Sequence, residues 1–256
     1  MTASLLGSRS TRLFVLLTAF FVGNAVVAEF VGVKVFALEN TLGLPPFGWN
    51  LFGQTGSLSF TAGVLIWPIV FLLTDVINEY FGRRGVRLIS YAAIGMISYG
   101  FLFAYASIHL SPAAWWVTVN SQRGVPDMQA AYDNVFGQGL WTIGGSITAF
   151  LVSQIIDVNV FHKIRHITGD RWIWLRATGS TVFSQFVDSF IVLYIAFVLG
   201  PQQWPVSLFL AVGTVNYAYK MSMAVLLSPL IYVARNQIEK YLGPAEAERL
   251  KSEAAA

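Results

Sequence analysis

Ser153-Gln154-Ile155-Ile156-Asp157 and Ser184-Gln185-Phe186-Val187-Asp188 repeat one polar pattern, Ser-Gln-x-x-Asp, inside two strongly apolar stretches. Between the copies lies a basic, tryptophan-bearing segment, His162-Lys163-Ile164-Arg165-His166 through Arg171-Trp172-Ile173-Trp174-Leu175-Arg176. On a helix, Ser and Asp four apart and Gln and Asp three apart share one face. Each copy therefore presents a hydroxyl, an amide and a carboxylate side by side. Two apolar helices joined by a basic turn read as a membrane hairpin. A carboxylate in hydrocarbon costs at least about 2.5–3.5 kcal/mol on insertion scales, so both aspartates call for a partner or a purpose.

The rest of the chain extends this reading. Hydrophobic residues make up 55% of the sequence and charged residues 11%, against about 25% charged in a soluble domain; the mean hydropathy is +0.62. The fold class is all-α integral membrane. Six segments are long enough to cross a hydrocarbon core, which takes about 20 residues: near 12–38, 58–80, 86–110, 138–162, 175–199 and 206–233. They make one transmembrane domain over residues 12–235, between an N-terminal tail, 1–11, and a C-terminal tail, 236–256.

Arg9 and Arg12, Arg83, Arg84 and Arg87, Lys163 through Arg176, and Arg235 through Lys251 all fall on one side of these spans, while Arg123 alone falls on the other. That bias puts both termini in the cytoplasm. The net charge of +3 is therefore membrane-flanking and no footprint of nucleic acid. No cleavable signal peptide is evident, since the first apolar stretch is too long and carries Asn24, Glu29 and Lys34. The chain has no cysteine, which excludes disulfides, thiolate metal sites and a cysteine nucleophile.

Ionisable groups inside spans are the candidate functional residues. Glu29 and Lys34 stand about 140° apart on an ideal helix and so face different neighbours. Lys34 either snorkels to the outer interface or joins Glu29 in a pathway. The second span holds Trp67-Pro68, where proline predicts a kink, then Asp75, Asn78 and Glu79. Part of this acidic group has Arg83 and Arg84 within reach as partners, which explains Asp75 less well. Past Arg87 at its cytoplasmic start, the third span carries no charged group before His109 and reads as scaffold; the loop after it has room for a short interfacial helix. Gly137, Gly139, Gly144, Gly145, Ser146 and Ala149 suit close helix approach. Asn216 and Lys220 lie mid-span in the sixth segment, with Asp188, Asp157 and Glu29 as partners open to the lysine.

Gln154 and Gln185 each sit about 13 Å from the cytoplasmic connection, counted at 1.5 Å per residue. The motifs thus meet at one depth while running in opposite directions, the local symmetry that often frames a transporter's central site. Asp157 is carried toward the cytoplasm, suiting an inner gate or the basic connection. Asp188 is carried toward the bilayer centre, suiting ligand or Lys220. Carboxylates and amides beside Trp67 and Phe71 match a flat ligand with a hydrogen-bonding edge, such as a guanine-like base. The plain alternative is that these groups are interhelical hydrogen bonds holding the bundle together, although such bonds average only about 0.6 kcal/mol.

Leu73-Thr74-Asp75-Val76-Ile77-Asn78-Glu79-Tyr80-Phe81-Gly82, Ser153-Gln154-x-x-Asp157 with Phe161-His162, and Trp174-Leu175-Arg176 followed by Ser184-Gln185-x-x-Asp188 resemble the queuosine precursor transporter family, and Asn24 and Lys34 fit as well. The resemblance runs from about residue 20 to 235. It implies a six-helix bacterial plasma-membrane importer of the cyano- and aminomethyl-7-deazaguanine precursors of queuosine, related to energy-coupling-factor substrate-binding subunits. The candidate site, read from the intramembrane polar residues themselves, is Asn24, Glu29, Lys34, Asp75, Glu79, Gln154, Asp157, Gln185, Asp188, Asn216 and Lys220. The alternatives are an importer of another small polar solute or vitamin, or a non-transporting structural protein. No His-Glu-x-x-His spacing or nucleophile–base pair marks an enzyme, and no cofactor or metal is implied. No Gly-x-x-x-x-Gly-Lys phosphate loop occurs either, so uptake draws on an ion gradient or on a separate ATPase module.

Overall fold

Helix α1 (Arg9–Val31) starts where the Ser8 hydroxyl accepts from the Thr11 amide, which satisfies one of the free donors of the first turn. It ends seven residues before the expected boundary at 38. Valines at 31, 33 and 35 favour extended backbone, and Val35–Ala37 (β1) pairs antiparallel with Ser59–Thr61 (β4). Between these strands lie a single helical turn, α2 (Leu38–Thr41), and a hairpin of Trp49–Leu51 (β2) with Gln54–Gly56 (β3). Phe52 and Gly53 both take positive φ, 51° and 74°, the two-residue turn that matches strand twist. The computed structural model describes residues 7–137, 140–169 and 172–255; residues 1–6 of the N-terminal tail, Gly139, Arg171 and Ala256 lie outside the described residues.

The second expected span began at 58, but 59–61 are strand and Ala62–Leu65 form a 3-10 turn. Helix α3 (Trp67–Ile108) starts only afterwards, with Pro68 in its first turn. No kink arises there, because a first-turn amide has no intrahelical acceptor to lose. At 42 residues α3 would be about 63 Å long, roughly twice a hydrocarbon core. It is broken at Gly82, whose φ of 61° and ψ of −166° are non-helical. Both halves pack back along α1. Phe81 meets Phe14 near one end of α1, while Phe101 stacks on Phe30 at the other. A Cβ on Gly63 would collide with the Ala28 carbonyl oxygen, so the turn leading into α3 also touches that second end.

Short helices α4 (Ala114–Val117) and α5 (Met128–Phe136) fill the next loop, α5 being capped by the Asp127 carboxylate. Helices α6 (Leu140–Thr168) and α7 (Ile173–Leu193) form the expected hairpin, with α7 running into a π-helical turn at Tyr194–Val198. Their approach is close where small residues were expected to allow it, since a Cβ on Gly145 would lie 3.0 Å from the Val192 carbonyl oxygen. Helix α8 (Val206–Leu242) carries Pro229 inside it, and α9 (Pro244–Ala255) folds back beneath the bundle.

Five helices are long and apolar enough to cross a membrane, among the described residues. Phe21, Ala25, Val70, Ile77, Ile89, Ala93 and Ile97 form the main core. On the outward face of the α3 half that follows Gly82, Leu88, Tyr91, Tyr99, Leu102 and Phe103 are exposed, as suits a helix against lipid. The C-terminal segment is helical, and α9 seats Ala247 and Leu250 against Leu13, Val76, Tyr80 and Ile238.

Candidate functional site

Polar side chains on α3, α6, α7 and α8 converge in three tiers through the middle of the bundle. The first lies at the end of α1 marked by Glu29. There Lys220 Nζ donates to Asp188 Oδ2 at 2.5 Å, with both side chains largely buried. Of the three partners open to Lys220, the fold selects Asp188. Ser153 also donates to Asp188, at 3.5 Å, and the Ser146 hydroxyl donates to Glu29.

These groups border a cavity of about 510 Å³, within the range of small-molecule sites. Glu29, Ser146, Asp188, Asn216 and Lys220 supply its polar wall, and Phe60, Trp67, Phe150, Phe197 and Trp204 its aromatic one. Trp67 packs on Phe150 at 5.5 Å, and Trp204 stacks on Phe197 at 4.4 Å. The strands β1 and β4 form part of the rim through Val35 and Ser59–Thr61.

The second tier lies deeper. Ser184 donates to Asp157 Oδ1 at 3.0 Å, and Gln154 donates to Thr74 at 3.1 Å. Together with Ser153–Asp188, this means each Ser-Gln-x-x-Asp copy gives its serine to the other copy's aspartate. The antiparallel hairpin produces that exchange because the motifs meet at one depth in opposite directions. Asp75 on α3 approaches Asp157, with the Ser180 hydroxyl facing both carboxylates. Asp75 and Gln185 also line a second void of about 30 Å³, which shares Trp67 and Lys220 with the large cavity.

In the third tier Arg176, fully buried, donates to both oxygens of Glu79 at 2.5 and 2.6 Å, and Arg165 stands 4.0 Å away. The expected partners Arg83 and Arg84 are exposed instead. They follow the break at Gly82, so the chain has already turned away from the bundle interior. Asn78 and His162 pair at 3.0 Å in the same tier.

Not every candidate joins this assembly. Asn24 spends its amide on the Phe20 carbonyl of its own helix at 2.7 Å. Lys34 is exposed beyond the end of α1, with its backbone carbonyl accepting from Ala62. Asn216 donates to Val212 on its own helix, yet lines the large cavity. Sequence reasoning passed over Ser146, Ser180, Arg165 and Arg176 as site residues. A signal was available for the last group: Arg176, Ser180, Ser184 and Asp188 recur every four residues on α7, one continuous polar stripe.

Residues 61–234 match the family described as "Putative vitamin uptake transporter". The chain belongs to this vitamin uptake transporter family. A protein of Bacillus subtilis (strain 168) named "Probable queuosine precursor transporter" is 30% identical over 190 residues, 74% of this chain and 76% of that one. The "Queuosine precursor transporter" of Escherichia coli (strain K12) is 28% identical over 183 residues, 71% and 76% of the two chains. A "Probable queuosine precursor transporter" of Haemophilus influenzae (strain ATCC 51907 / DSM 11121 / KW20 / Rd) is 25% identical over 232 residues, 87% and 91% of the two. No solved structure matches. The chain is thus a multi-pass bacterial membrane transporter of this family.

Proposed function

We propose that the chain imports 7-deazaguanine precursors of queuosine, binding them in the large cavity. The observation that carries this reading is the pairing of carboxylate and amide groups with aromatic walls in one space of about 510 Å³. A guanine-like base offers a flat apolar face and an edge with a ring N–H beside an amine. A carboxylate accepts two parallel hydrogen bonds from such an edge, and charge-assisted bonds are about twice as strong as neutral ones. Asp188 and Glu29 are the carboxylates on the cavity wall, Asn216 is an amide able to read the carbonyl edge, and Trp67 or Trp204 offers a stacking surface. The names of the relatives favour the same ligand class.

The break at Gly82 supports six crossings, with α3 supplying two, and the charge bias supports cytoplasmic termini. In that frame the large cavity faces outward and the Glu79–Arg176–Arg165 tier closes the inner side. The energy source is a gradient or an ATPase partner of the kind used by energy-coupling-factor substrate-binding subunits. Reconstitution of the purified chain alone separates the two, since concentrative uptake without ATP excludes an obligatory ATPase.

The substrate is tested by expressing the chain in a bacterium unable to make or import the precursor and measuring tRNA queuosine with each precursor supplied. Rescue is expected, together with its loss in Asp188→Asn. An inserted protein that rescues with neither precursor would sink the assignment.

A further inference from the structure

We propose that Asp75 and Asp157, with Ser180 between them, form a binding site for one monovalent cation, a proton or a sodium ion, separate from the large cavity. The proposal goes beyond the identity of the substrate and concerns a second ligand. Its starting point is charge. Four carboxylates lie in the two inner tiers and at the Asp188 pair: Asp75, Glu79, Asp157 and Asp188. Three cations answer them: Arg176 and Arg165 at Glu79, and Lys220 at Asp188. Leaving aside Glu29, which borders the large cavity, this set is one positive charge short, and a charge taken from water into a low-dielectric region is expensive unless it is neutralised.

The shortfall is localised by hydrogen bonding. Among the described residues, Asp75 Oδ1, Asp157 Oδ2 and Gln154 Oε1 are buried with no partner. Such groups are costly when left unsatisfied. Asp75 is 5% exposed and Asp157 1%, so bulk water does not serve them. The hydroxyls nearby cannot make up the deficit. Ser180 has one proton, and the Ala177 carbonyl at 3.0 Å already competes for it with both carboxylates. The Ser184 proton is taken by Asp157 Oδ1 or the Thr181 carbonyl.

The groups facing the pair come from every surrounding helix. Glu79 lies one turn along on α3, Arg176 reaches toward Asp75 from α7 while bonded to Glu79, and Lys220 of α8 borders the small void beside Asp75. That void, of about 30 Å³, has room for a water or a small ion. Among the described residues no three His, Cys, Asp or Glu side chains gather as metal ligands. The oxygens at hand are those of the two carboxylates and of Ser180, which faces both, with the bonded Gln154–Thr74 pair alongside in sequence on the same two helices as the aspartates. Coupling ions in transporters sit in such places, at the bilayer midplane between repeated elements. Lys220 and Trp67 line both the void and the large cavity, so occupancy of one is placed to influence the other.

The test needs no substrate. Purified protein in nanodiscs is melted in sodium chloride and in choline chloride at equal ionic strength, over the neutral pH range. A sodium site gives a sodium-dependent rise in melting temperature. A proton site gives a rise as pH falls, whatever the salt. In Asp75→Asn and in Asp157→Asn the half-saturating cation concentration is expected to rise roughly tenfold or more, or the response to vanish. Should either asparagine variant fail to fold, Ser180→Ala keeps both carboxylates and is expected to weaken the response several-fold. Responses to sodium and to protons that are the same in wild type and in every folded variant overturn the proposal. Failure of the substrate reading appears separately, as a wild type that responds to cation but shows no shift with deazaguanine.

Discussion

Lys220 sits well inside α8, and its charge is answered by Asp188 at 2.5 Å. A cavity runs beside the pair, so a ligand that takes the carboxylate must leave the ammonium another acceptor or water. Asp188→Asn removes the charge while keeping the shape. Breaking a buried pair from one side costs about 3–5 kcal/mol, so the variant is expected to melt lower in detergent and to lose uptake. Adding Lys220→Met should recover most of the melting temperature, because no stranded charge remains, but none of the uptake. Uptake restored in the double variant would remove Asp188 from the ligand set. Glu29 and Glu79 provide the complementary contrast. Glu79 holds the fully buried Arg176 by two bonds, and Glu79→Gln is expected to cost about 3–5 kcal/mol and to yield little folded protein. Glu29 faces the cavity, and Glu29→Gln keeps the acceptor oxygen that Ser146 uses. That variant is expected to fold and to bind deazaguanine about tenfold or more weakly, measured by thermal shift. Equal loss of folded protein in both would return Glu29 to a structural role.

The α6–α7 hairpin is the element in which the repeated motif becomes geometry. Two serines cross-donate to two aspartates, and interhelical bonds of this kind average about 0.6 kcal/mol in bilayers. Ser184→Ala removes a 3.0 Å bond and Ser153→Ala a 3.5 Å one. The first is expected to lower the unfolding free energy by about 1 kcal/mol, the second by clearly less, in steric-trapping or denaturant measurements. A larger loss from Ser153→Ala would contradict the exchange. The break in α3 makes a sharper prediction. Gly82 has φ 61°, and an added Cβ would lie 3.0 Å from the Ala254 carbonyl oxygen. Gly82→Ala is therefore expected to cost about 1–3 kcal/mol from backbone alone, seen as reduced thermal stability. Much of the hairpin was legible, because spacing fixes which residues share a helix face. The Asp188–Lys220 pair was legible only as one of three choices, since sequence gives depth along a helix but not rotation about it. The β1–β4 pairing and the end of α1 at Val31 were hidden for another reason. Apolarity alone does not separate a helical stretch from an extended one, and only the partner strand decides. In the sequence Arg176 is one of several basic residues flanking a span, and that setting masks the stripe it shares with Ser180, Ser184 and Asp188.

At the scale of the molecule, the two ends of the bundle differ. One carries the β1–β4 rim and the open cavity; the other carries the Arg165–Arg176–Glu79 tier, with Arg165 also donating to the Lys251 carbonyl of α9 at 2.9 Å. The basic connections all belong to the second end, and the orientation proposed from the positive-inside bias has that end in the cytoplasm and the cavity outside. In that orientation, an importer at rest in this form would be open to its substrate and closed to the cell. Because the chain has no cysteine, single-cysteine variants report this arrangement without background. Ser59 is exposed on the β4 rim and lines the cavity, whereas Arg84 is exposed beyond the Gly82 break. In intact spheroplasts a membrane-impermeant thiol reagent is expected to label Ser59→Cys readily, and several-fold more slowly when deazaguanine is added. Arg84→Cys should react only after the membrane is permeabilised. Labelling of Arg84→Cys from outside, with Ser59→Cys protected, would invert the molecule and make the large cavity an exit.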